Sequence, residues 1–384
     1  MSIVGILPIV LTGLVFLGLA YVVWQRKRWA AILPLVMGLG FVAYAIGVKI
    51  VAGNHSLGRE DYQFLIREMN RDDLREYLIA EPTEENLYFA SITSQALYRA
   101  ARAEPDQRAN IIPILRWLSE WVADSRNFPQ WKRKRRWSEE AFFLAHAGII
   151  LGQYQELTDD EAYAEAWQSI GAYLGRAMRA ARYKNLISRP EDDLMRPADN
   201  AAILYGLMLF DRYYATEYAA TIIPKWLEYV DEELKTADSH LPCSAFTNTN
   251  VCRLDPTASA LGMTVGYLAA AGYPNQQLYR EWLHYFKVYG LSPLTLETRS
   301  EMFEKTEEGY CDQASLPLAC ERHLDPIAAW LAAEHGGDYT FARLTSERII
   351  YRDRSDRKQL SKLRVDRRPQ ELIDAALWTI AIYE

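Results

Sequence analysis

The sequence predicts an all-α protein, an (α/α)6 barrel preceded by a two-helix transmembrane hairpin. From residue 61 onward, apolar residues recur at helical spacing, and no alternating strand exceeds a few residues. Turn-forming stretches such as EPTEEN, SRPEDD, AGYPN and HGGD separate the periodic segments. Two long apolar runs fill the first 52 residues. We therefore predict a hairpin anchor over 1–54 and a barrel domain over 55–384.

The hairpin prediction rests on the runs 2–24 (SIVGILPIVLTGLVFLGLAYVVW) and 29–52 (WAAILPLVMGLGFVAYAIGVKIVA). Arg26, Lys27 and Arg28 lie between them, whereas only Lys49 flanks the other side. Such an excess of positive charge keeps a short loop cytoplasmic, so both termini would face outward. We expect a multi-pass protein of the bacterial inner membrane, with the bilayer as its partner and the barrel in the periplasm or extracytoplasmic space.

The periodicity after the hairpin predicts eleven helices, which could stack as an open solenoid or close into a ring. The segment 256–272 (PTASALGMTVGYLAAAG) is apolar on both sides and rich in small residues, as expected for the inner helix of a closed ring. We therefore favour the closed (α/α)6 barrel. The predicted helices are 61–79, 84–103, 108–125, 138–156, 160–182, 197–215, 218–236, 256–272, 276–290, 313–335 and 370–383.

The four cysteines form two pairs with equal spacing. Cys243 and Cys252 (CSAFTNTNVC) and Cys311 and Cys320 (CDQASLPLAC) both lie in loop-like sequence without nearby histidines at zinc-ligand spacing. We predict two local disulfides, which suits an oxidising compartment. A pairing of the first loop with the second stays open.

Charge limits the range of partners. The net charge is −7, which argues against a general nucleic-acid binder. The exception is the basic run 132–136 (KRKRR), which lies between Trp131 and Trp137. It is read either as a solvated loop or as a contact for anionic lipid headgroups or a charged glycan.

Three segments resemble the linalool dehydratase/isomerase family of (α/α)6 enzymes. EEAFFLAHAGIILGQYQELTDDEAY resembles that family's central helix, and PEDDLMRPADN with FDRYYATEY resembles its Cys-Glu-Pro loop and the helix that follows. LYFASITSQALYRAARAEP is similar to the helix that carries a site tyrosine. The likeness covers most of 84–290. It implies the barrel fold and a ring-shaped homo-oligomer whose subunits complete one another's pockets.

The resemblance also assigns site residues. The family's active-site histidine corresponds to His146 and its tyrosine to Tyr88, whereas its two site cysteines correspond to Pro190 and Asp199. Both thiols are therefore absent, so the resemblance does not extend to the groups that handle the allylic alcohol in the family. The family's N-terminal aspartate has no clear counterpart here.

Taken without the resemblance, the same residues suit acid–base chemistry. A histidine that shares a helix face with Phe142 is read as a core residue or as a general base in an aromatic pocket. Asp199 follows Pro197, so it belongs to the first turn of a helix, where the dipole favours a carboxylate. If burial outweighs the dipole, its pKa rises and it becomes a general acid. Asn200 would then orient the substrate or Asp199.

Further polar residues are expected around the pocket. Glu191 and Asp193 would bind substrate from the loop, or pair a carboxylate with Asp199 as a glycosidase requires. Asn250 and Asp255 belong to a rim loop braced by the first cysteine pair. There is no Gly-rich phosphate loop, HExxH, GxSxG or CxxC, so we expect neither metal nor cofactor.

Three hypotheses about function follow. The first is a lyase or isomerase that hydrates, dehydrates or isomerises an isoprenoid-like or other amphiphilic substrate, with His146, Asp199 and Tyr88 as the catalytic groups. The second is a hydrolase or lyase that cleaves a surface glycan on the same barrel. The third is a non-catalytic scaffold or binding subunit of an envelope complex.

Overall fold

The structure is a computed structural model that describes residues 7–53, 56–236, 240–289, 296–298, 324–335 and 365–383. Helices account for most of these residues, and the strands among them are at most three residues long. The prediction of an all-α protein is therefore confirmed.

The first two helices pack against each other. Helix α1 spans Leu7–Arg26 and helix α2 spans Ile32–Gly53, joined through a 3-10 turn at Arg28–Ala31. The rings of Phe16 and Phe41 stack with centroids 5.8 Å apart across this pair. The contact is close because Gly38 leaves room for the side chain of Leu17.

The predicted transmembrane hairpin is wrong. Across the described ranges, no helix combines the length and the apolar character that a bilayer crossing needs. The described part of α1 starts at Leu7 and ends on Gln25 and Arg26, and the 3-10 turn takes the first residues of the second apolar run. The second apolar run is thus longer than the part of it that lies in α2. The multi-pass inner-membrane location, which depended on the hairpin, is wrong with it.

The remaining helices follow in chain order. Their bounds are α3 Ser56–Met69, α4 Asp72–Ala80, α5 Glu84–Ala103, α6 Arg108–Ala123, α7 Ala141–Thr158, α8 Ala164–Ala180, α9 Pro197–Tyr214, α10 Tyr218–Glu233, α11 Ala258–Ala270, α12 Gln276–Phe286, α13 Leu324–Glu334 and α14 Arg368–Ile382.

Six of the described helices form a closed ring. Helix α5 contacts α7, and contacts continue through α9, α11, α13 and α14 back to α5. These inner helices are buried on nearly all sides; in α7 every residue from Ala141 to Gln155 is buried. A helix enclosed by protein on all sides must be apolar around most of its circumference. The ring thus explains the absence of a polar face in these segments.

An outer layer of described helices, α3, α6, α8, α10 and α12, covers the ring. Helix α8 illustrates their pattern, since Trp167, Ile170, Leu174 and Met178 are buried at spacings of three and four residues. The outer helices α6, α8 and α10 each lead the chain from the end of one inner helix back to the start of the next. The inner helices α5, α7, α9 and α11 therefore run in the same direction. Their N-terminal ends therefore meet at one end of the ring.

Several predicted boundaries differ from the structure. The helix predicted over 61–79 is divided into α3 and α4 by a turn at Asn70 and Arg71, where the Asn70 side chain donates to the carbonyl of Ile66 at 2.9 Å. Residues 134–139 form a 3-10 turn rather than the start of α7. Helix α12 ends at Phe286 and continues into strand β3.

Four short strands form two hairpins. Strand β1 (Ala245–Phe246) pairs antiparallel with β2 (Cys252–Leu254), and β3 (Lys287–Tyr289) pairs with β4 (Leu296–Thr298). A disulfide joins Cys243 to Cys252 across the first hairpin, which confirms that predicted pair. Cys311 and Cys320 lie outside the described residues.

Candidate functional site

The loop between α8 and α9 covers the N-terminal ends of α7 and α9. The backbone N–H groups of Ala141 and Phe142 donate to the carbonyls of Ile187 and Ser188 at 3.0 and 3.1 Å. The first turn of a helix has no internal acceptors for these groups, so the loop replaces a capping side chain. This explains why α7 begins without a side-chain N-cap.

Asn200 fixes the same loop from the α9 side. Its side-chain oxygen accepts from the backbone N–H of Leu186 at 2.8 Å, and its amide nitrogen donates to the carbonyls of Leu186 and Arg196 at 3.2 and 3.0 Å. Both amide protons are therefore used within the protein. Asn200 positions the backbone of the loop, and it does not point a free donor at a substrate.

The disulfide hairpin supports the loop from outside. Met195 and Phe246 exchange two backbone hydrogen bonds of 2.9 and 3.0 Å, so β1 extends onto the loop. The bond between Cys243 and Cys252 closes the other end of this hairpin. A covalently closed hairpin thereby restrains the segment that leads into Asp199.

His146 lies in the middle of α7 and is completely buried. Its Nδ1 lies 3.0 Å from the hydroxyl oxygen of Ser91 on α5. The ring centroids of Phe142 and Tyr88 are 4.6 and 5.2 Å from the imidazole. Burial, with a smaller contribution from the positive charge of Arg189, lowers the pKa of His146 to about 3. The imidazole is therefore neutral near neutral pH.

Asp199 lies in the first turn of α9, two residues after Pro197, as predicted from the sequence. Only 2% of the residue is exposed. Burial raises the pKa of its carboxyl, while the positive charges of Arg189 and Arg196 oppose that rise. The carboxyl therefore holds a proton at higher pH than an exposed aspartate does.

Arg189 connects this buried carboxylate to the surface. Its guanidinium lies 3.6 Å from Asp199 Oδ2 and 2.5 Å from the carboxylate of Glu84, an exposed residue at the start of α5. The same guanidinium lies over the ring of Phe142, 4.5 Å from its centroid. Arg189 thus closes the N-terminal end of the ring above Phe142 and His146.

Three buried oxygen atoms in this region have no hydrogen-bond partner within the described part of the chain. They are the hydroxyls of Tyr88 and Tyr267 and the Oδ2 atom of Asp199. Burial and the negative charge of Asp199 both raise the pKa of each tyrosine, so all three groups are close enough to interact. Buried polar groups in proteins are nearly always paired, and unpaired ones mark places where a ligand or water belongs.

The structure therefore brings together four of the predicted residues: His146, Asp199, Tyr88 and Phe142. It also adds residues that the sequence analysis missed, namely Arg189, Glu84, Ser91 and Tyr267. Ser91 is three residues after Tyr88 and so shares its helix face. Tyr267 is the one aromatic residue in α11, which singles it out in an otherwise small-residue helix. We refer to this set of eight residues as the axial cluster.

The other predicted residues lie outside the axial cluster. Glu191 and Asp193 are exposed on the loop, and Asp193 adopts a positive φ of 56°. Asn250 accepts a hydrogen bond from the hydroxyl of Tyr229 in the β1–β2 hairpin. Asp255 is exposed just after β2. No group of three metal-ligating side chains occurs among the residues that the structure describes.

The basic run predicted as a contact site lies in two 3-10 turns on the surface. Lys134 lies 5.3 Å from the ring centroid of Trp137, and Trp137 is itself buried against Trp131 and Tyr173. The tryptophans therefore pack inward and anchor the segment. They do not form an exposed platform.

In comparisons with known proteins, no family model and no curated protein matches this chain. The resemblance to linalool dehydratase/isomerase thus rests on the three sequence segments quoted above. It enters the functional argument only as a proposal.

Proposed function

We propose that the protein is a cofactor-independent enzyme that adds, removes or relocates water or a hydroxyl group on an isoprenoid-like or other amphiphilic substrate. The observation that carries this proposal is the convergence of His146, Asp199 and Tyr88 among buried aromatic side chains, where three oxygen atoms lack a hydrogen-bond partner within the described residues. A hydroxyl-bearing substrate would supply the missing hydrogen-bond partners. The segments that resemble linalool dehydratase/isomerase point to the same reaction class.

The pKa directions support a specific role for each group. Tyr88, whose pKa burial raises far above its usual range, stays a neutral hydroxyl that can donate a hydrogen bond. Asp199, whose pKa is also raised by burial, is the group that can give a proton to a leaving hydroxyl. His146 is neutral and can accept the proton released from the neighbouring carbon. The proton lost by Asp199 leaves with water, and His146 returns its proton to Asp199 to complete the cycle.

The depressed pKa of His146 supports this order of events. A neutral imidazole whose conjugate acid has a pKa of about 3 is a weak base while Asp199 is protonated. Once Asp199 ionises, its negative charge lies near Tyr88, whose ring is 5.2 Å from the imidazole. A carboxylate charge in this cluster would favour the charged form of His146. Protonation of the leaving group and deprotonation of the carbon are thereby coupled.

The glycan-cleaving alternative has less support. It requires two carboxyl groups on opposite sides of a bond, with water or a sugar between them. Here Arg189 occupies the space between the two nearest carboxylates, Glu84 and Asp199. Glu191 and Asp193 are exposed on the loop.

The test is oxygen exchange in water labelled with ¹⁸O. The purified full-length protein is incubated with a set of linear allylic alcohols, and the label in recovered alcohol and the alkene products are measured by mass spectrometry. We expect turnover that is lost in His146→Gln and Asp199→Asn. Two exposed residues supply matched controls, His284→Gln and Asp106→Asn, which should retain the wild-type rate.

Absence of exchange and elimination with every alcohol would contradict the proposal. Equal rates in Asp199→Asn and Asp106→Asn would also contradict it. The scaffold hypothesis predicts the first result, because it assigns no chemistry to the protein.

A further inference from the structure

A cavity lies at the end of the ring opposite to the axial cluster, where the inner helices finish. It has a volume of about 390 Å³, within the range of small-molecule sites. Tyr98 and Arg102 line it from the last turns of α5, Met208 and Arg212 from α9, and Ala270 from α11. Tyr88 and Tyr98 are ten residues apart on α5, which corresponds to about 15 Å along the helix. The cavity is therefore separate from the axial cluster.

Two arginines from different helices converge in this cavity. Arg102 Nη1 and Arg212 Nη2 donate to the same hydroxyl oxygen, that of Tyr98, at 3.2 and 2.9 Å. The Arg102 guanidinium also lies 5.6 Å from the centroid of the Tyr98 ring. Both arginine side chains reach the mouth of the cavity, and both residues are exposed.

The charge around the cavity is not balanced. Arg99 pairs with Glu334, and Arg212 pairs with Glu156. Arg102 forms no salt bridge with a carboxylate in the part of the chain that the structure describes. One positive charge is thus left over at the mouth, next to the forked donors of two guanidinium groups.

The inner wall of the cavity differs from the mouth. Tyr205 and Met208 form part of it, and Ala270 adds a small apolar surface. The hydroxyl of Tyr205 already accepts from the side-chain amide of Gln153 at 3.2 Å. The cavity therefore combines apolar surface from Met208 and Ala270 with the two arginines, and the paired Arg99 and Glu334 also line it. This combination matches a small molecule that has an anionic group at one end.

An arginine in the last turn of a helix stabilises the helix dipole without any ligand. That effect accounts for an arginine whose side chain lies near the last carbonyl groups of its own helix. It does not explain why Arg102 and Arg212 approach one hydroxyl from two helices at the edge of a cavity. From this convergence we propose that the cavity binds a small molecule through an oxyanion group, a phosphate or a carboxylate. Guanidinium groups bind both oxyanions through two parallel hydrogen bonds.

Isothermal titration calorimetry tests the site on the full-length protein in a buffer free of multivalent anions. Inorganic phosphate and succinate are the two probes. We expect saturable binding at one site for at least one probe, weakened at least about tenfold in Arg102→Gln and in Arg212→Gln. Tighter binding of phosphate would identify a phosphorylated ligand, and tighter binding of succinate a carboxylate. Arg176→Gln, an exposed arginine on α8, is the matched control and should bind as wild type does.

Three results would overturn the proposal. The first is the absence of saturation for both probes in the millimolar range. The second is unchanged binding in Arg102→Gln and Arg212→Gln. The third is an equal loss in Arg176→Gln, which would indicate a general effect of surface charge. Because these readouts do not involve turnover, they are independent of the outcome of the ¹⁸O experiment.

Discussion

Arg189 Nη1 lies 3.6 Å from Asp199 Oδ2 at the N-terminal end of α9. This contact joins a buried carboxyl whose pKa burial raises to a cation that opposes the rise. It also sets the electrostatic state of the axial cluster, because the same cation contributes to lowering the pKa of His146. The protonation of both proposed catalytic groups therefore depends on one arginine.

Replacing Arg189 with Met should destabilise the protein more at about pH 8 than at about pH 5. Without the cation, the pKa of Asp199 in the folded state moves further above its unfolded value. A group with a raised folded pKa contributes stability at low pH that is lost as the pH rises through that pKa. Urea unfolding gives the free energy of unfolding at each pH. We expect the loss of this free energy on substitution to be larger at about pH 8 than at about pH 5 by about 1–3 kcal/mol.

The matched control for Arg189→Met is Arg176→Met. Arg176 is exposed on α8, so loss of its guanidinium should change the free energy of unfolding by at most about 0.5 kcal/mol. A loss in Arg189→Met that is equal at both pH values would show that the arginine does not control the ionisation of Asp199.

His146→Gln should flatten the dependence of stability on pH below neutrality. The folded pKa of about 3 is below the unfolded value, so neutral His146 contributes stability above about pH 6.5 that is lost as the pH falls towards 3. Between about pH 7.5 and about pH 5 this loss is on the order of 2 kcal/mol in wild type. Urea unfolding of both proteins at the two pH values measures it. If the free energy of unfolding of the variant changed with pH as much as that of wild type, the result would contradict a neutral, buried imidazole.

Tyr88→Phe should leave the fold as stable as wild type, or more stable by up to about 1 kcal/mol, while abolishing turnover. Its hydroxyl is buried and has no hydrogen-bond partner among the described residues, so its removal takes away a desolvation cost and no hydrogen bond seen there. Tyr205→Phe is the comparison, because that hydroxyl accepts from Gln153 and its loss should cost about 1 kcal/mol. Thermal denaturation measures both. Strong destabilisation by Tyr88→Phe would indicate a structural hydroxyl.

Replacing Cys243 and Cys252 by Ser should lower the free energy of unfolding by about 2–3 kcal/mol, because the bond closes a short loop. Loss of the bond should also increase proteolysis within the loop that carries Arg189, since β1 pairs with Met195.

Non-reducing tryptic digestion tests the pairing of Cys243 with Cys252 directly. The fragment 236–253 contains both cysteines and should be lighter by two hydrogens than after reduction. A crosslink from this fragment to one containing Cys311 or Cys320 would contradict the local bond.

Much of the barrel follows from local patterns. The almost uninterrupted apolar sequence AFFLAHAGIIL indicates that α7 is buried along most of its length. Pro197 indicates the start of α9, because its fixed φ suits the first helical position. The pairing of Cys243 with Cys252 could be predicted because the two cysteines are only nine residues apart in one loop. Asn70 and the two aspartates after it mark the break between α3 and α4, but helical periodicity on both sides concealed it.

The site was less predictable because its contacts link distant segments. Arg189 meets Glu84, 105 residues away, through a loop whose path depends on Asn200 and on the β1–β2 hairpin. No local pattern contains that information. The transmembrane prediction was wrong for a different reason. It rested on the length of each apolar run in the sequence, and that length does not give the positions at which the helices begin and end.

The crystal structure of the protein in complex with a ten-carbon linear allylic alcohol tests the central claim most directly. The account predicts that the alcohol lies in the axial cluster, with its hydroxyl within hydrogen-bonding distance of Tyr88 Oη and Asp199 Oδ2 and its chain along Phe142 and Tyr267. An alcohol bound elsewhere, with the three oxygens bridged only by water, would contradict the account.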